Sequence, residues 1–82
     1  MAAQLELAFD NLEKVLAAAG MSMRNVARLN YYVTDLPAFF AASSVGSLRL
    51  QDLRAKPAGT LLGVVSLHQP GLMVEIEATA LD

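Results

Sequence analysis

The 82-residue chain contains no cysteine and no tryptophan. The missing cysteine excludes disulfides, thiol nucleophiles and thiolate metal sites. Charge is scarce, at 17% of residues against the roughly 25% usual in soluble domains. There is no basic run either: Lys14, Arg24, Arg28, Arg49, Arg54 and Lys56 are scattered, and the net charge is −2. Tight nucleic-acid binding needs several phosphate-neutralising cations on one face, so no such partner is expected. No apolar run approaches the roughly 20 residues that span a bilayer. The opening MAAQLELAFDNLEKVL carries Glu6, Asp10 and Glu13 rather than the positive start and unbroken apolar core of a signal peptide. A cytosolic protein without a membrane partner is the expectation.

What is abundant is apolar surface, with 55% of residues hydrophobic. Residues 1–82 are enough for one domain at most, and a domain of this size has a thin core. The excess apolar surface predicts self-association before any motif is considered.

Periodicity gives the order α-β-α-β-β. Leu5, Phe9, Leu12, Leu16 and Ala19 recur every three or four residues and predict a helix over 3–19, stopped by Gly20. Ser22 can cap a short turn after it. Residues 26–35, VARLNYYVTD, alternate as a two-sided strand. Asp35 before Leu36-Pro37 suits a helix start, with an acceptor at the cap and proline in the first turn. That helix should reach about Arg54, with Phe39, Ala42, Gly46, Leu50 and Leu53 as its packed stripe. Two strands, 60–67 and 72–81, should then form a hairpin through His68-Gln69-Pro70-Gly71. The expected fold class is α+β, with two helices on one face of a small mixed sheet. The opposite face would carry Asn30, Tyr32, Thr34, Glu75 and Glu77, a half-polar surface suited to meeting copies of itself.

Candidate chemistry is thin. Glu75 and Glu77 share a strand face and could serve acid–base work, or could be ordinary polar residues paired with Arg28. His68, the sole histidine, reads as an exposed turn residue without a second metal ligand. No serine has a nucleophile elbow, and Gly59 and Gly63 make no phosphate loop. Tyr31 and Tyr32 must point to opposite faces, one into the core and the other free to line a pocket. Read alone, these residues specify no catalytic constellation, no metal and no cofactor.

Three longer stretches, AFDNLEKVLAAAGMSMRNVARLNYYVTD, PAGTLLGVVSL and VEIEATA, together resemble the RidA family, also called YjgF or L-PSP. The resemblance covers nearly the whole chain. It implies a chorismate mutase-like fold, a homotrimer, and small-molecule clefts between subunits. The best-studied branch hydrolyses reactive enamines and imines to 2-oxo acids and ammonia; other members have been described as ribonucleases or translation inhibitors.

On this resemblance Glu75 matches the glutamate that positions the attacking water. Gly59 stands where the deaminase branch has a carboxylate-binding arginine, leaving Lys56 as the cation nearest in sequence. Thr60 and Leu61 match cleft-lining positions, Ser43 stands where an asparagine is common, and Tyr32 is the tyrosine available to the pocket. Losing a bidentate carboxylate contact costs roughly 1.5–3 kcal/mol, which makes 2-imino acids poor candidates and leaves uncharged imines. An enzyme of this kind and a non-catalytic small-molecule-binding trimer both fit the sequence, with a ribonuclease disfavoured by the scattered cations. Family members usually begin with a β-hairpin ahead of the first helix. This chain starts at the helix, as a short member or one begun at an internal Met, and its sheet should expose an edge.

Overall fold

A computed structural model describes all 82 residues. The N-terminal pattern forms helix α1, Ala2–Ala18, which buries Leu5, Phe9 and Leu16. Gly20 closes it at φ +74°. Its N–H donates to the Ala17 carbonyl and that of Met21 to the Leu16 carbonyl, at 3.0 and 2.8 Å, the reciprocal pair that satisfies a helix end. Ser22 then caps a short turn as expected, its hydroxyl accepting from the Arg24 N–H at 3.3 Å.

Strand β1, Val26–Val33, follows. A register shift between Val26 and Arg28 explains why Val26 and Leu29, three apart, are both buried. Helix α2 spans Leu36–Asp52, capped by Asp35 accepting from the Ala38 N–H at 3.0 Å. It stops short of Arg54 because Arg54 itself takes the left-handed conformation, at φ 55°. Gly46 lets α2 approach α1, since a Cβ there would lie 3.3 Å from the Phe9 ring. Arg49 bridges the two helices through Glu6, Asp10 and Glu13.

The expected hairpin does not form. Strands β2, Ala58–Gly63, and β3, Val74–Ala80, are shorter than predicted and lie on opposite sides of β1. β2 runs parallel to β1, with α2 as the crossover that parallel pairing requires. β3 runs antiparallel to β1. The link 64–73 therefore passes round the end of β1. The Val64 N–H meets the Val33 carbonyl on one side, at 2.8 Å, and the Thr34 N–H meets the Met73 carbonyl on the other, at 3.1 Å. Gly71, at φ +86°, makes the return. Pro70-Gly71 marked a turn correctly, but not one joining neighbouring strands.

Both helices cover one sheet face, and the core between them includes Phe9, Met23, Leu29, Val33 and Val74. Tyr31 joins it, its ring centroid 5.5 Å from Phe39 and 6.4 Å from Phe9. The other face carries no helix. Only 11 of 82 residues are buried, and Leu7, Val15, Phe40, Leu48, Leu62 and Val65 remain exposed.

Candidate functional site

The strand order β2-β1-β3 decides where the candidate residues lie. Ser43, Gly59, Thr60 and Leu61 gather in one cleft of about 310 Å³ between α2 and β2, together with Tyr31 and Gly46. Glu75 stands on β3, two strands away, roughly 9–10 Å across the sheet at normal strand spacing. It lines a separate groove of about 490 Å³ between α1 and β3, walled by Leu7, Val15 and Ile76 among others, with Gln4 and Asn11 as its amides. Within one chain Ser43, Gly59, Thr60 and Leu61 do not meet the expected catalytic glutamate; of the expected binding residues only Tyr32 stands beside it, opposite Glu75 in the β1–β3 register.

Tyr32 belongs to neither hollow. It points to the helix-free face, where its hydroxyl donates to Glu77 at 3.0 Å. Asn30 donates to the same carboxylate oxygen, also at 3.0 Å. The Asn30 amide, and after it the Tyr32 hydroxyl, hold the Glu77 carboxyl below its usual range. In return Glu77 raises the Tyr32 hydroxyl. Glu77 is thus a bonded structural carboxylate, while its neighbour in alternation has different partners.

Glu75 meets His68. Its Oε1 lies 2.8 Å from the ring Nδ1 and 3.4 Å from the backbone N–H of His68. The ring contact first, and then the backbone donor, hold the Glu75 carboxyl below its ordinary value. No protein group bonds Oε2. His68 is exposed, as a turn residue should be. Its pairing was hidden because the two residues lie seven apart, with an irregular link between them. The readable signal is positional: the link that carries His68 must fold back along the strand that carries Glu75.

Arg28 makes no ion pair with either glutamate. Its Nη1 donates to the Thr60 hydroxyl at 3.1 Å and to Asn30 at 3.3 Å. Lys56, with Arg54, borders a third hollow beyond the end of α2. At Gly59 a Cβ would lie 2.9 Å from the Leu29 carbonyl oxygen, so the position has no room for a side chain as β2 now runs.

The family model for Endoribonuclease L-PSP matches residues 1–82. The chain belongs to this family. The solved structure of the Escherichia coli YjgF gene product superposes on it with a TM-score of 0.89 at 28% identity, over 96% of this chain and 62% of that one. This makes the fold the chorismate mutase-like one expected from the L-PSP resemblance. E. coli TdcF with bound serine matches with a TM-score of 0.86 at 26% identity, over 94% of this chain and 61% of that one. The fission-yeast (Schizosaccharomyces pombe) protein mmf1, named as mitochondrial, is 35% identical over 74 residues, which is 88% of this chain. This L-PSP chain spans 44% of the length of mmf1 and about three-fifths of the two bacterial chains. No helix in it is long and apolar enough to cross a membrane.

Proposed function

We propose that this chain hydrolyses imines or enamines that carry no carboxylate, releasing a carbonyl compound and ammonia, at clefts formed between copies in a homotrimer. The observation that carries this reading is the state of Glu75. One of its oxygens is tethered to His68 and the other has no protein donor, in a carboxylate that lines an apolar groove. An ionised acceptor fixed on one side is suited to hold and orient a water molecule on the other. No cofactor is needed for that step.

The preference for uncharged substrates follows from the walls. No lysine or arginine lines the Glu75 groove; Gly59 supplies no guanidinium to grip a carboxylate, and the Arg28 guanidinium, which touches Thr60 of that cleft, is bonded to the Thr60 hydroxyl and to Asn30. The same scarcity of cations weighs against a phosphodiester substrate. Assembly is required because Ser43, Gly59, Thr60 and Leu61 can approach Glu75 only from a neighbouring copy. The many exposed apolar side chains favour that association. A relative that holds serine, TdcF, supports a small-molecule ligand.

The test is ammonia release by the wild-type chain and by Glu75→Gln, each at a measured oligomeric state. Turnover above the uncatalysed rate, lost in Glu75→Gln without loss of assembly, is expected. No turnover from an assembled wild-type preparation would make the protein a small-molecule-binding module instead.

A further inference from the structure

We infer that His68 is a catalytic residue of this site, transferring protons through Nε2 while Glu75 orients the imidazole. The inference rests on the hydrolytic reading of the Glu75 groove and adds the group that moves protons within it. The geometry has three parts. Nδ1 lies 2.8 Å from Glu75 Oε1, and an ionised carboxylate can only accept, so Nδ1 carries the hydrogen. That leaves the Nε2 lone pair as the base in neutral imidazole, the relation by which a carboxylate sets the tautomer of a catalytic histidine. His68 and Glu75 line the same groove, alongside Gln4, Asn11 and the apolar residues of α1.

The groups packed around His68 leave it as the one proton carrier there. From β3 it meets Glu75. From α1 the groove receives Gln4, Leu7, Ala8, Asn11, Leu12 and Val15, none of which titrates. The α1 acids Glu6, Asp10 and Glu13 are engaged by Arg49 of α2 instead. A carboxylate held in its ionised form is a weak base and a poor acid, so an imidazole fills a role that Glu75 alone fills badly.

The steps balance without a co-reactant. As the water oxygen bonds to the imine carbon, Nε2 takes one water proton and the C=N π pair moves to nitrogen. The imidazolium returns that proton to the nitrogen, giving a carbinolamine. Nε2 then carries the hydroxyl proton to the nitrogen, and the alkoxide so formed expels ammonia as the carbonyl forms and the C–N bond breaks. One imine and one water become one carbonyl compound and one ammonia, and His68 ends neutral.

The experiment compares wild type, His68→Gln, His68→Ala and Glu75→Gln in ammonia release from diphenylmethanimine, an uncharged ketimine, across pH. General acid–base groups contribute about 10²–10⁴-fold, so His68→Gln should lower kcat at least about 100-fold with KM little changed. It should also change the pH profile of kcat/KM, which a merely structural role would leave alone. Added imidazole should restore part of the activity of His68→Ala. His68→Gln with wild-type kcat and pH profile, beside an inactive Glu75→Gln, would overturn the role of His68 and leave the hydrolytic reading standing. A wild-type chain without turnover would overturn both. His68 is exposed and outside the core, so its substitution should leave the melting temperature unchanged, which checks folding independently.

Discussion

Gly59 and Leu29 are opposed across the parallel β1–β2 pair so closely that a Cβ on Gly59 would stand 2.9 Å from the Leu29 carbonyl oxygen. The obstacle is backbone, which cannot turn aside as a side chain can. Overpacking of this kind typically costs about 1–3 kcal/mol, so Gly59→Ala should lose stability in that range by urea denaturation. Gly59→Arg should fare no better and should not by itself create affinity for 2-imino acids, because β2 must shift before the guanidinium can be placed.

Arg54 ends α2 in the left-handed region, at φ 55°. A non-glycine residue there costs roughly 1–2 kcal/mol, partly offset on substitution by the greater freedom of glycine in the unfolded chain. Arg54→Gly should therefore stabilise the protein by about 0.5–1 kcal/mol, read as a raised urea midpoint with unchanged m-value. An unchanged or lowered midpoint would mean that the Arg54 side chain contributes more than its backbone costs.

Phe9 is fully buried, fills the space left by Gly46 and touches Tyr31. Truncating a buried phenylalanine typically costs about 3–5 kcal/mol, a large share of the stability of so small a domain. Phe9→Ala should leave the chain mostly unfolded near its working temperature, by circular dichroism. Gly46→Val, which adds bulk against the same ring, should destabilise by a smaller amount.

The open sheet face predicts a pH dependence. Asn30 and Tyr32 lower the folded-state pKa of Glu77, so its contribution to stability is present above the unfolded glutamate value and is lost as pH falls through the lower folded one. Removing one donor with Tyr32→Phe should raise the Glu77 carboxyl toward its ordinary range, visible in a carboxyl-carbon NMR titration. The same substitution should also weaken the acid dependence of stability.

What could be read from the sequence was whatever is local. Asp35, Gly20 and Ser22 announce their caps through their own backbone chemistry, and the alternation around Tyr31 and Tyr32 puts them on opposite faces without knowledge of neighbours. What could not be read was pairing at a distance. Pro70-Gly71 looks the same in a hairpin and in a link that rounds the end of β1, so it does not specify the partner of β2. His68 and Glu75 meet for the same nonlocal reason. The register shift at Val26 also breaks simple alternation, because its extra residue has no sequence signature. The L-PSP resemblance brings Glu75, Gly59, Thr60, Leu61 and Ser43 together as a set, and the strand order separates Glu75 on β3 from the other four beside β2.

The most direct test of the account compares ammonia release from diphenylmethanimine and from 2-iminobutanoate by the wild-type chain, with its oligomeric state measured in the same buffer. The account predicts a trimeric protein that accelerates hydrolysis of the uncharged imine and leaves the 2-imino acid near its uncatalysed rate. Acceleration of the 2-imino acid alone, or no acceleration of either by an assembled preparation, would contradict it.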